Sequence, residues 1–168
     1  MVFDTYTAAE KFVKTNLNKA YKELGIKDWL PKWFIEDVSD ESSLKQDDKI
    51  RLLAHGTMMG INKKWLREAE TTKSVCFELW YYARVMYQAH EVVAVHSDVG
   101  SATDTEIVEV WKKELDGIKE YRREDIEVNS ATNIDAYAFA LYMIKKDYPN
   151  DVSVIPSEIE DEVKAKLK

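Results

Sequence analysis

The 168-residue chain is poor in the residues that usually announce a function: one cysteine (Cys76), three histidines, five glycines and three prolines. A lone cysteine excludes an intrachain disulfide and any zinc cluster built on cysteines, and gives no sign of a secreted scaffold. Glycine and proline are so thinly spread that no linker, repeat or low-complexity tract marks a boundary, so we expect one domain over residues 1–168. The longest apolar runs fall far short of the ~20 residues that a membrane helix needs. The opening "MVFDTYTAAEKFVK" lacks the basic and apolar regions of a signal peptide. Positive charge is also short: 24 Lys and Arg against 31 Asp and Glu, a net charge of −7. That balance argues against a general nucleic-acid binder, because phosphate neutralisation needs a Lys/Arg surface. We expect a cytoplasmic protein that makes no membrane contact and carries no cofactor.

Aromatic rings are abundant, with five Trp, nine Tyr and five Phe. Such rings stabilise a core strongly and also favour interfaces. Apolar spacing predicts a helix from about Thr5 to Leu24, ended by Gly25. Around Pro31 the pattern fits either a helix start or a short strand "KWFIEDV", followed by a polar loop. Ile50–Ala54 and Thr57–Ile61 read as two strands about a turn at Gly56. The pattern is helical again from Lys63, and a long central helix runs from about Lys73 to Val95. A further helix is expected over "TDTEIVEVWKKELDGIKEYRRED", capped by Asp104 or Thr105, with Ile107, Val110, Trp111, Leu115 and Ile118 on one face. "NSATNIDAYAFALYMIKKDYP" is the last major helix, ended by Pro149, and Pro156 opens a short charged one. The fold class is therefore α+β, mostly helical, with a small antiparallel sheet preceding a central helix.

Little of this chemistry is catalytic at first sight. His90 and His96 are six residues apart, about 240° round a helix, whereas two ligands on one helix face need a spacing of three or four. No G-x-S-x-G elbow, G-x-x-x-x-G-K loop or G-x-G-x-x-G turn is present. Cys76 lies in an apolar run, where a buried inert thiol is the default. The acidic "EIEDEV" reads as a solvated helix face. An enzyme would have to draw on Glu78, Glu91, His90, His55 and Asp135, with Tyr81 or Tyr82 as acid, and no spacing brings these together. In "NIDAYAFALYM" the plain reading is a buried stripe, either Ile134, Ala138 and Leu141 or Ala136, Phe139, Ala140 and Met143, with Asp135 a chance polar residue.

The order Asn-x-x-Ala-x-x-Phe-Ala at 133–140 nevertheless resembles a helix of small bacterial and phage zincin-type metallopeptidases, the ImmA/IrrE-like group. There Glu-x-x-Ala-x-x-Phe-Ala brings the third zinc ligand, and an upstream H-E-x-x-H helix brings two histidines and the general base. The resemblance covers roughly residues 33–150 and implies "GTMMGIN" as the edge strand and "SVCFELWYYARVMYQ" as the active helix. Two alignments stay open. "FELWY" puts Phe77 and Tyr81 in place of the histidines and keeps Glu78 as the base. "YYARV" puts Tyr81 and Val85 there, with Tyr82 at the base position and Tyr87-Gln88 retained. Asn133 replaces the ligand Glu under both, with Asp135 and Tyr137 further along that helix. Zinc needs the missing imidazoles and carboxylate, so the resemblance implies a closed-over site and a non-catalytic relative.

Because a fold does not fix its usual function, loss of the site moves the function to the surface. We expect a protein-binding or regulatory module, its unidentified partner a protein, its work regulation or phage–host antagonism. Exposed rings at Trp29, Trp33 and Phe34, or on the Tyr81–Tyr82 face, would serve it. The alternatives are a metal-dependent hydrolase with unusual ligands and an all-α oligomeric structural protein whose rings are buried in a self-interface.

Overall fold

A computed structural model of the chain describes residues 1–26, 29, 31–39, 44–54, 57–95 and 104–167. His55, Gly56 and His96 lie outside the described residues, and with them the turn expected at Gly56. Helix α1 (Tyr6–Glu23) starts at Thr5, whose hydroxyl accepts the Ala8 N–H at 3.1 Å. Strand β1 (Lys32–Glu36) resolves the ambiguous "KWFIEDV" in favour of a strand. Strands β2 (Ile50–Leu53) and β3 (Met58–Asn62) follow, then a short α2 (Lys63–Arg67). The buried Asn62 side chain carries the chain from strand to helix. Its Oδ1 accepts the Lys64 N–H at 2.9 Å, and its Nδ2 donates to the Asp48 carbonyl at 2.6 Å.

Helix α3 (Thr72–Val95) is the axis of the molecule. It packs against α1, against β2, and against two later helices, α4 (Thr105–Leu115) and α5 (Ala131–Asp147). Leu79, Trp80, Tyr81, Tyr82 and Ala83 are all fully buried, so no face of its middle turns is left to solvent. Trp80 closes the α1 side by donating its indole N–H to the Asn16 carbonyl at 2.9 Å. Burying one large apolar side chain stabilises a fold by about 1.5–3 kcal/mol, so this helix alone accounts for a large share of the core. None of the described helices is long and apolar enough to cross a membrane.

Two expectations need correction. The helix predicted through Asp125 ends at Leu115, and Gly117 takes a φ of 75°, a left-handed conformation that glycine enters without a Cβ penalty. The chain beyond it forms β4 (Glu120–Tyr121) and a 3₁₀ turn (Arg123–Asp125). The buried face of α4 is Val108 and Trp111, whereas Ile107 and Val110 are 42% and 44% exposed. The second correction concerns the sheet. It is mixed, in the order β1-β3-β2-β4, and β4 joins from beyond the central helix. The β2–β3 hairpin and the β2–β4 pair are antiparallel, but β1 runs parallel to β3. The hairpin uses only one edge of β3, so β1 takes the other after a long connection over residues 37–49. The strand expected at an edge, β3, is thus interior. A sheet of this kind also excludes the all-α alternative.

Side chains alternate across a sheet. Trp33, Ile35, Ile50, Leu52, Met59, Ile61 and Tyr121 join the core. The opposite face carries ions. Arg51 on β2 reaches across β3 to make a bidentate pair with Glu36 on β1, at 2.8–3.1 Å, and lies 3.6 Å from Glu120 on β4. Arg122 continues the row to Glu120 at 2.6 Å and Asp48 at 3.3 Å. Gly60 is the residue crossed: a Cβ there would stand 2.6 Å from Glu36 Oε2 and 3.3 Å from Arg51 Nε.

Helix α5 is buried on two sides, so both stripes read from its sequence are real. Ala136, Ala140 and Met143 face the main core, and Ile134, Ala138 and Leu141 pack on Ile159 and Val163. The latter residues belong to a 3₁₀ turn (Ser157–Ile159) and to α6 (Glu160–Lys166). Gly60→Ala is therefore expected to displace the Glu36 carboxylate from Arg51 and cost about 1–3 kcal/mol. Urea unfolding checks this; a variant as stable as the parent would show that the pair does not depend on the bare backbone.

Candidate functional site

Four side chains meet where α3 and α5 face each other. Phe77 and Tyr81 lie one turn apart on α3, with ring centroids 6.4 Å apart. Asn133 and Tyr137 lie one turn apart on α5. The Tyr81 hydroxyl donates to Asn133 Oδ1 at 2.6 Å, and the Phe77 and Tyr137 rings meet edge to face at 5.0 Å. Since the Tyr81 proton goes to Asn133, its oxygen accepts from the Tyr121 hydroxyl, 2.7 Å away. Asn133 Nδ2 donates to the Val128 carbonyl at 2.7 Å. Tyr82 packs edge to face on both Tyr81 and Tyr121, and its oxygen accepts the Arg123 backbone N–H at 2.6 Å.

Local sequence places these groups. Ser130 caps α5, its hydroxyl accepting the Asn133 N–H at 3.2 Å, and this sets Asn133 in the first turn. The Glu114 carboxylate reaches over from α4 to accept the Ala131 and Thr132 N–H groups at 2.8 and 2.7 Å. A carboxylate at a helix N-terminus is favoured by the free N–H groups and the helix dipole.

Beside the ring cluster sits Glu78, 3% exposed. Its Oε1 takes Arg123 Nη2 at 2.6 Å and Lys49 Nζ at 3.2 Å, while Oε2 has no hydrogen-bond partner among the described residues. Burial raises the Glu78 pKa, with Arg123 and Lys49 opposing. The Arg123 guanidinium also lies over the rings of Phe77 at 5.2 Å and Tyr81 at 5.6 Å. One turn on, Arg84 grips Asp135 through Nε at 2.7 Å and Nη2 at 3.2 Å. Gln88 donates to the same carboxylate at 2.8 Å and to the Thr132 carbonyl at 3.1 Å. Asp135 is thus no chance polar residue but a clamp between the two helices.

Of the residues singled out from sequence, Phe77, Glu78, Tyr81, Asn133 and Tyr137 converge, with Tyr82 behind Tyr81. Val85 stands apart, in an apolar groove with Leu52, Ala89 and Leu115. His90 is half-buried and stacked on Trp29, centroids 4.2 Å apart. Tyr81 and Tyr82 are fully buried, so the exposed face imagined there does not exist, and Trp29, Trp33 and Phe34 are half-buried. Sequence reasoning missed Arg123, Lys49, Arg84 and Tyr121. No residue spacing announces them, since they reach their partners across 29 to 51 residues.

These groups do not fit a zinc ion. Phe77 has no donor atom, both ends of the Asn133 amide are engaged, and burial raises the Tyr81 hydroxyl well above its usual pKa, which keeps it a neutral phenol. Among the described residues no group of three or more His, Cys, Asp and Glu could hold a metal ion. No protein-family profile matches the chain, and no curated protein or solved structure is significantly similar to it.

Tyr81→Phe strands the Asn133 carbonyl in a dry core and is expected to cost about 1–3 kcal/mol in denaturant unfolding. A loss of only a few tenths would mean that the hydroxyl is not what joins the helices. Burial also pushes the Cys76 thiol up to about 12. Native protein should accordingly resist a disulfide-exchange reagent at neutral pH and react fully once denatured; rapid native labelling would contradict the burial.

Proposed function

We propose that this chain is a non-catalytic protein on a zincin-like scaffold, acting as a protein-binding or regulatory module in the cytoplasm. The observation that carries the reading is the Tyr81–Asn133 hydrogen bond. Under the "FELWY" alignment the two matched histidine positions are Phe77 and Tyr81, and the matched glutamate position is Asn133. Their side chains cluster across the α3–α5 seam, as three ligands of one ion would have to. The "YYARV" alignment is less well supported, because it assigns a ligand position to Val85 in the groove away from this cluster. Where imidazoles and a carboxylate would hold zinc, two rings and an amide satisfy one another. Those three side chains offer no free ligand atom to an ion that would polarise a carbonyl or acidify a water. Glu78, at the position of the general base, is held by two cations. Any work the protein does then falls to binding.

The test is to restore the ligands. The triple variant Phe77→His, Tyr81→His, Asn133→Glu is expected to retain about one zinc per chain after dialysis, while the parent retains none, both read by elemental analysis. A parent that keeps stoichiometric zinc would overturn the non-catalytic reading. A triple variant with the parent's circular dichroism and no zinc would overturn the zincin likeness.

A further inference from the structure

Pocket chemistry around Arg123 goes beyond a plugged site. A cleft of about 240 Å³ opens next to the ring cluster, with Phe77, Tyr137, Leu141 and Ile144 as its apolar wall and Arg123 and Glu78 as its charged groups. Lys73 also lines the cleft, its charge paired with Asp151. Arg123 is different. One of its five N–H donors is spent on Glu78 through Nη2; Nε, Nη1 and the second Nη2 hydrogen have no partner among the described residues, which leaves one fork, Nη2 with either Nε or Nη1. Its plane is held over two rings and its backbone is tied to Tyr82. A guanidinium fixed in this way loses little entropy when it binds a planar anion in bidentate fashion.

Charge points the same way. The single buried carboxylate of Glu78 is paired with two cations, Arg123, which lines the cleft, and Lys49, which lies outside its lining, so this cluster of three carries one net positive charge. Glu124, an acid close enough for its charge to act on Glu78, is exposed and screened by solvent. A part-exposed guanidinium beside an apolar wall selects an anion that carries its own apolar group. We propose that this cleft binds a ligand whose carboxylate adjoins an aromatic or aliphatic group, the Arg123 fork holding the carboxylate and Phe77 and Tyr137 flanking the apolar part. A free small organic acid and the C-terminus of a polypeptide share that chemistry. The inference deepens the binding reading without using the peptidase likeness, so the zinc test and the following one can fail separately.

The probes are N-acetyl-phenylalanine and its C-terminal amide, a neutral near-isostere, titrated into the full chain and followed by calorimetry and amide NMR shifts. The acid is expected to bind about tenfold more tightly than the amide, the worth of one charge-assisted pair, with shifts centred on Ser74, Phe77 and Arg123. Arg123→Lys keeps a cation for Glu78 but loses the fork, and is expected to erase most of the preference. Tyr137→Ala should weaken acid and amide by the same factor and leave their ratio intact. A pentapeptide ending in phenylalanine that matches or exceeds the small acid assigns the site to polypeptide ends; exclusion of the pentapeptide with retention of 3-phenylpropionate assigns it to small acids. Equal binding of acid and amide, binding of neither at millimolar concentration, or shifts confined to another surface would overturn the proposal.

Discussion

Everything in this fold is arranged round one constraint: α3 is enclosed on all sides along its middle turns, yet carries polar atoms there. A buried hydroxyl, carboxylate or guanidinium without a partner is costly, so each such side chain on α3 fixes the position of a neighbour through at least one of its polar atoms. Tyr81 fixes Asn133 and Tyr121; Tyr82 and Glu78 fix Arg123; Arg84 and Gln88 fix Asp135. Apolar burial drives these elements together without specifying how they meet. The polar contacts select the register of α5 on α3 and the path of the chain after β4. Tyr81→Phe would leave apolar burial almost unchanged and still remove the contact that sets this register.

The same constraint explains the chemical character of the seam. In a dry space between two helices, a cluster of donors and acceptors either holds something or satisfies itself. Here Tyr81, Asn133 and Tyr121 satisfy themselves, while Glu78 and Arg123 do so only in part. Unsatisfied capacity therefore sits at the edge of the cluster, at Glu78 Oε2 and on the guanidinium, next to an apolar wall. The contrast between a closed centre and an open rim gives the candidate site its direction, from the buried ring cluster outward to the cleft.

What the sequence made legible was local. The extent of α3, the cap at Asp104 and both stripes of α5 follow from spacing within one or two turns, where side-chain pattern and backbone geometry act together. The pattern in "NIDAYAFALYM" is likewise confined to one helix, α5, with Asn133 in its first turn. Failures came where distant segments decide. The parallel pairing of β1 with β3 leaves no turn signature, because its connection is long. The end of α4 was signalled by Asp116-Gly117, but the apolar residues beyond it imitate continued helix; what ends the helix is that Tyr121 is needed in the sheet and against Tyr81. Lys49 and Arg123 each look like ordinary surface cations until the fold sets them against Glu78.

Glu114 ties these regions into one mechanical unit. Its carboxylate belongs to the last turns of α4, yet it seals the first turn of α5, and between the two lies β4, paired to the sheet. Fraying of the start of α5 therefore cannot be a private event of that helix. It loosens the hold on α4, slackens the edge of the sheet and frees Asn133 from Tyr81 together. Amides of the α5 first turn, β4 and the last turn of α4 should exchange with solvent as one group, through a shared opening rather than three independent ones.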